Sequence, residues 1–248
     1  MYKVLWATCN LGAENPWDYG NYYAWGETKA YGEEDASNAH NYAYGNTFKK
    51  TDYSYDTYKW ATNSDWTSIS KYSFADNQRE AMWYGNTGNY VGLPLDGNKA
   101  HNRLDAEDDA ATTNWGHSWR IPDSYDIGRL IFHCYWVSVN SYKGNNVRGY
   151  VVYAAKCKND EGLWNRPSIE TYSKSTDAHI FLPAAGYRQN DILYCAGVNG
   201  NYWSSVLSAQ YSDLAIQIEF LGNSTFPNNN NHRRSHGQSV RPVRVVRN

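Results

Sequence analysis

Only one stretch of this chain carries the sustained period of a helix. In "RIPDSYDIGRLIFHC", Ile127, Leu130, Ile131 and Cys134 fall on one face, behind Pro122 and a capping Asp123 or Ser124. Gly128 inside that stretch costs about 1 kcal/mol relative to alanine, so it predicts close packing against a neighbour. A second, shorter helix is expected in "EDDAATTNW", with Asp108 and Asp109 near its favourable amino end. Most other order must come from short strands between Gly and Asn turns: "VRGYVVYAAK", "AHIFLPAAGY", "YSDLAIQIEF" and "SVRPVRVV". The pattern is α+β.

Leu, Ile and Val are scarce, so the core must be aromatic: 11 Trp and 23 Tyr supply large buried areas, each with a polar handle. A mean hydropathy of -0.77 therefore does not mean disorder. No linker or charge block divides the 248 residues, which predicts a single domain over 1–248. Within it, 29–100 reads as a loop-rich insert pinned by Tyr and Trp side chains.

A net charge of -2 provides no field for nucleic acid or an anionic membrane, although Arg233, Arg234, Arg241, Arg244 and Arg247 make the last segment locally basic. No apolar run is long enough for direct membrane insertion, and "MYKVLWATCN" lacks the features of a secretion signal. Cys9, Cys134, Cys157 and Cys195 show no C-x-x-C spacing, which argues against zinc; buried free thiols are expected, with two disulfides left open. Neither a phosphate-binding Gly loop after a strand nor a GxSxG elbow is present.

The tract from Leu221 to His236 is a drift of Asn, Ser, Thr, His and Arg set between rigid ends. In "AIQIEFL", Ile216, Ile218 and Phe220 alternate with Gln217, Glu219 and Leu221, the period of a strand with one buried and one displayed face. Trp203, Val240, Val243 and Val245 would anchor both ends, which makes the Asn-rich tract a closed surface loop, and Pro242 confines the last strand to an edge or a non-donating position. The predicted ligand-binding residues are Tyr187, Arg188, Asn190, Tyr211, Gln217, Glu219, Leu221, Ser224, Phe226, Asn230, His232, Arg234, Ser235 and His236. His232 and His236 are read as surface contacts, since the segment has no helical pattern and no third metal ligand. Asp105, Glu107, Asp108 and Asp109 lack the alternation and Gly of an EF-hand loop, leaving a solvated helix start with room for a structural calcium ion at most. No catalytic residue, metal site or other cofactor is predicted.

Taken in order, "LWATCNLGAENPWDYGNYYAWGET", "LDAEDDAATTNWGHSWRIPDSYDIGRLI", "IFLPAAGYR", "NGNYWSS" and "GQSVRPVR" closely resemble the Fibrobacter succinogenes major paralogous domain family of gut bacterial surface proteins. Through "SWRIP" and "SVRPVR" the chain is also similar to the formylglycine-generating enzyme superfamily and to the variable proteins of diversity-generating retroelements. The resemblance implies a C-type lectin-like fold: small twisted antiparallel sheets, one or two helices and long irregular loops. It also implies a non-enzymatic receptor or adhesion domain on a cell surface, a pilus-like assembly or a phage particle, with a protein or glycan on another cell as partner. The alternative is a structural surface module without a defined ligand.

In the retroelement family, adenines of Asn-type codons are replaced, which reaches Asn, Ser, Thr, Asp, His, Arg, Tyr, Leu, Ile, Phe and a few small residues but never Lys, Glu, Gln, Met or Trp. The tract from Leu221 to His236 holds only permitted residues, whereas Gln217 and Glu219 would have to be fixed. An oxidase of the formylglycine-generating type needs paired cysteines near the carboxyl end; only Cys195 lies late, with Cys157 well upstream. A calcium-dependent sugar site needs a Glu-Pro-Asn, Gln-Pro-Asp or Trp-Asn-Asp triplet, and the corresponding place reads Trp203-Ser204-Ser205.

Overall fold

The computed structural model describes residues 3–34, 49–61, 64–67, 69, 71–72, 95–96, 99–100, 103–157, 170, 172–208, 211, 213–222 and 227–246. In chain order the strands are β1 (Lys3–Trp6), β2 (Tyr22–Tyr23), β3 (Leu95–Asp96), β4 (Lys99–Ala100), β5 (Cys134–Val139), β6 (Gly149–Cys157) and β7 (Tyr172–Pro183). They continue as β8 (Tyr187–Gln189), β9 (Ile192–Tyr194), β10 (Gly200–Leu207), β11 (Leu214–Phe220), β12 (Asn228–Arg233), β13 (Gly237–Ser239) and β14 (Val243–Val246). The helices are α1 (Ala110–Trp115) and α2 (Ser124–His133). This is the expected α+β composition of small, mostly antiparallel sheets and two helices.

Both helices start where a carboxylate can cap them. Asp109 accepts from the Thr112 amide at 3.0 Å and from the Ile121 amide at 2.9 Å, so it caps α1 and ties down the following segment at once. Asp123 and Asp126 form a reciprocal capping box on α2, and Ile127, Gly128, Leu130 and Ile131 are buried as the period predicts. Asp123 also meets Arg103 at 2.9 Å, and Asp126 meets Arg120 at 2.7 Å.

Among the described residues the main sheet has seven strands in the order β12-β11-β10-β13-β8-β9, with β2 paired to β13; a second sheet runs β5-β6-β7, and β1 pairs with β14. Pro242 falls between β13 and β14, where no ladder needs its missing N–H, and its carbonyl accepts from Ala7 at 2.8 Å. Gly186 has φ of +64°, and a Cβ there would lie 2.1 Å from the Tyr194 carbonyl oxygen, so only glycine lets β8 enter against β9.

Strands β10 and β11 are covered on both faces. On one side Tyr202, Ile218 and Phe220 pack with Ile127, Leu130, Ile131, Trp136 and Tyr150. On the other, Trp203, Leu207 and Ala215 pack with Tyr23, Trp25, Tyr72, Ala110, Ala111 and Val240. This corrects the expectation of one displayed face along 216–221. Gln217 is fully buried, Glu219 is half-buried, and Ile216 is only half-buried rather than core. Alternation of apolar and polar residues cannot separate a displayed face from one that is covered by a second core and lined with hydrogen-bonded amides.

The Asn-rich tract is likewise corrected from loop to strand. Asn228–Arg233 is β12, paired in register with β11 from Leu214↔Arg233 to Glu219↔Asn228, because backbone pairing with β11 outweighs the weak strand propensity of Asn. Arg234, Ser235 and His236 then turn inward and are buried. Part of the 29–100 insert is described, and there Tyr53 and Tyr58 are fully buried, their hydroxyls donating to the Tyr22 and Trp25 carbonyls at 2.5 and 2.7 Å. Lys50 and Glu27 form a buried ion pair at 2.8 Å beside them. Cys9, Cys134 and Cys195 are free thiols but not the buried ones expected: Cys9 and Cys134 are half-buried and Cys195 is exposed.

Candidate ligand-binding site

Directly opposed residues of neighbouring strands share a sheet face. The register places Trp203 opposite Gln217, Gln217 opposite Asn230, Asn201 opposite Glu219, and His232 opposite Ala215. Across β13 it continues with Gln238 opposite Tyr187 and Tyr187 opposite Tyr194. One face therefore grades from an aromatic core at Trp203 and Ala215, through three amides, to an open end at Glu219 and Tyr187.

The amides of Asn201, Gln217 and Gln238 form the floor. The Gln217 Oε1 accepts from Asn201 Nδ2 at 3.1 Å and from Gln238 Nε2 at 2.6 Å. Around them stand rings from three parts of the chain: Tyr187 lies 4.9 Å from His232 and 5.8 Å from His236, and the two imidazoles are 4.9 Å apart. Tyr194 stacks on Tyr187 at 5.7 Å, and His232 also stands 6.3 Å from Trp203. On the polar side Asn230 donates to Glu219 at 3.0 Å. The rim exposes Ile192, Tyr194 and Leu221.

The site is electrically quiet. Burial, reinforced by His232 and Arg233, drives the His236 imidazole down to about 3. Burial also lowers His232, with Glu219 pulling the other way. Both rings are neutral at physiological pH, and burial raises the Tyr187 phenol further from ionisation. Five buried polar atoms here have no hydrogen-bond partner among the described residues: Asn201 Oδ1, Gln217 Nε2, Gln238 Oε1, His232 Nδ1 and His236 Nδ1. Native proteins tolerate few such atoms, each costing about 1–3 kcal/mol, so five at one place make this the candidate binding centre.

Of the predicted residues, Tyr187, Gln217, Glu219, Asn230, His232 and His236 are brought together, with Leu221 on the rim. Four are not. Arg188 turns to the opposite face and lies 3.9 Å over the Tyr31 ring. Asn190 sits in the β8–β9 turn, hydrogen-bonded through its backbone to Tyr53. Tyr211 precedes β11, at the end away from Glu219. Arg234 is fully buried, donating to the Tyr58 hydroxyl and to the Tyr72 and Lys71 carbonyls at 2.9, 2.9 and 3.0 Å. Ser235 beside it is buried too, so neither can meet a partner; Ser224 and Phe226 lie outside the described residues. Asn201, Gln238 and Tyr194 were missed. Asn201 and Gln238 stand inside the quoted motifs "NGNYWSS" and "GQSVRPVR", but strands of three residues such as β9 and β13 carry too little periodicity to orient their side chains.

The acidic cluster of Asp105, Glu107 and Asp108 already holds a cation of the chain's own. Lys71 Nζ lies 2.6 Å from Asp108, 3.2 Å from Glu107 and 3.6 Å from Asp105, and the Tyr72 hydroxyl donates to Asp108 at 2.6 Å. A separate cavity of about 430 Å³, lined by Arg103, Asp109, His117, Trp119, Arg120 and Ser205, has its two arginines committed to Asp123 and Asp126. No family model, curated protein or solved structure matches the chain.

Proposed function

We propose that this chain is a non-enzymatic ligand-binding domain of C-type lectin-like architecture, serving recognition or adhesion at a bacterial cell surface, a pilus-like assembly or a phage particle. The observation that carries the reading is the convergence of Tyr187, Tyr194, Glu219, Asn230, His232 and His236 from β8, β9, β11, β12 and the turn before β13 around five unpaired buried polar atoms. A rigid sheet that presents aromatic anchors beside neutral polar side chains is what a binding surface requires. A protein or a glycan on another cell is the partner class. Beads coated with the intact chain should be retained by partner cells, and beads coated with Tyr194→Ala should not; equal retention would favour a structural module without a ligand.

Retroelement diversification is compatible with this reading over a narrower span than the sequence suggested. Asn228 to Arg233 are displayed, wholly or in part, and are of permitted type, whereas Arg234 and Ser235 are scaffold. Sequencing the gene from many cells of one population would test it: substitutions should gather in the codons of β12 and spare Gln217, Arg234 and Gln238. An even spread, or no neighbouring reverse transcriptase gene, would remove diversification and leave ligand binding intact.

A further inference from the structure

We infer that the Asn201–Gln217–Gln238 amide floor is a calcium-independent subsite for one uncharged polyhydroxylated ring, a hexose-type unit of a glycan, entered when His232 swings outward; this rests on the ligand-binding reading above. The three amides have six terminal atoms, and two hydrogen bonds consume three of them. Three remain, acceptor on Asn201, donor on Gln217 and acceptor on Gln238. Turning all three amides over inverts this to donor, acceptor, donor. A hydroxyl group both donates and accepts, so adjacent hydroxyls of a sugar satisfy either arrangement, whereas a fixed peptide amide satisfies only one.

The surroundings fit the same ligand. Tyr187 stacks nearly parallel with Tyr194, at 21°, and with His236, at 10°, and in this wall of stacked rings the exposed Tyr194 offers an aromatic surface of the kind on which the C–H face of a sugar ring can stack. On the same sheet face stand the Asn230 amide and Glu219, joined to each other. The imidazoles that complete the enclosure are neutral, and so are the floor amides. A charged ligand would find no counter-charge there beyond Glu219 and the exposed Arg233.

Access requires movement, because the five unpaired atoms are sealed from solvent in this structure. His232 is the element placed to move. It lies on the edge strand β12 and is half-buried, packed against the Tyr187 and His236 rings from the open side of the site. His236, on the buried turn into β13, stays as part of the wall.

The test is saturation-transfer NMR and calorimetry on the intact chain in EDTA, with galactose, mannose, fucose and N-acetylglucosamine as probes. At least one sugar should bind; Tyr194→Ala, an exposed change that spares the core, should weaken it about tenfold or more. Gln238→Leu should abolish binding, and His232→Ala should leave it equal or tighter. No binding by any probe, loss of binding in EDTA, or unchanged affinity in Tyr194→Ala would overturn the inference. Retention of coated beads that depends on Tyr194 but is indifferent to all four sugars would also overturn it, while leaving the ligand-binding reading in place.

Discussion

The guanidinium of Arg234 lies 4.7 Å over the ring of Trp25, sealed from solvent in the centre of the molecule. Its three nitrogens donate to the Tyr58 hydroxyl and to the Tyr72 and Lys71 carbonyls, so one side chain joins the end of β12 to the aromatic insert. Arg241 does the same on the other side of β13, donating to Asn10, Ala7, Thr8 and Phe181. The basic tail is thus a pair of internal struts as well as a surface feature.

Removing Arg234 leaves two buried acceptors and the part-buried Lys71 carbonyl without its donors, and a void against Trp25. Arg234→Met should lower stability by about 3–5 kcal/mol, measured by urea unfolding. Arg234→Lys should recover little of the loss, because an ammonium cannot reproduce the planar fork. A change under about 0.5 kcal/mol in Arg234→Met would show that the strut carries no weight.

The pH dependence follows from His236. Its pKa falls from an ordinary value of about 6.5 in the unfolded chain to about 3 in the fold, because burial beside His232 and Arg233 disfavours the cation. Between those values the unfolded chain binds more protons, so folding stability should decline as pH falls from about 6.5 toward 3, by up to ~1.4 kcal/mol per unit for this one group. The buried carboxyls of Asp109 and Asp126 are raised by burial and contribute the opposite sign at the acid end. The measurement is therefore a difference: the pH profile of wild type minus that of His236→Gln. Identical slopes in the two proteins would exclude the histidine as the source.

How much was legible in the sequence depended on whether an element's environment is one-sided. Helix α2 was readable because one face meets the core and the other meets water, and its capping Asp123 stands immediately before the periodic stretch. Strand β11 shows the same alternation but is enclosed on both sides, so Gln217 reads as displayed although it is wholly buried. Arg234 and Ser235 read as part of a polar loop because composition carries no information about which charges a fold has taken inside. Tyr187, Glu219, Asn230 and the two histidines were named together from the sequence, but the strand pairing that joins them was not legible, because Asn230 and His232 read as loop and His236 as surface. The amide floor was not legible either, because it forms only when β10, β11 and β13 meet.

Lys71 makes a prediction about cations. Its ammonium occupies the position between Asp105, Glu107 and Asp108 that a metal ion would need. Calcium should therefore leave the melting temperature of the wild-type protein unchanged. In Lys71→Gln the three carboxylates lose their partner and repel one another, so stability should fall and then be partly restored by millimolar calcium. A calcium-dependent shift in wild type would mean that the ion displaces the lysine.

The boundary inside the polar tract is sharp enough to map by substitution. Asn228, Asn229 and Asn230 are exposed on an edge strand, and His232 is only half-buried, whereas every residue from Arg234 to Val243 is buried. Replacing each position from 228 to 246 in turn by all residue types and sorting for folded protein should give broad tolerance over 228–233, within about 0.5 kcal/mol for most substitutions other than proline, which would break the pairing with β11. Tolerance should collapse at Arg234 and stay low through Val243, then return at the exposed Arg244 and Val245. Ligand binding should show the reverse order among the surviving variants, falling with changes at Asn230 while folding is untouched. Uniform tolerance across 228–241 would mean that the tract is a loop after all, and uniform intolerance would mean that β12 is scaffold and displays nothing.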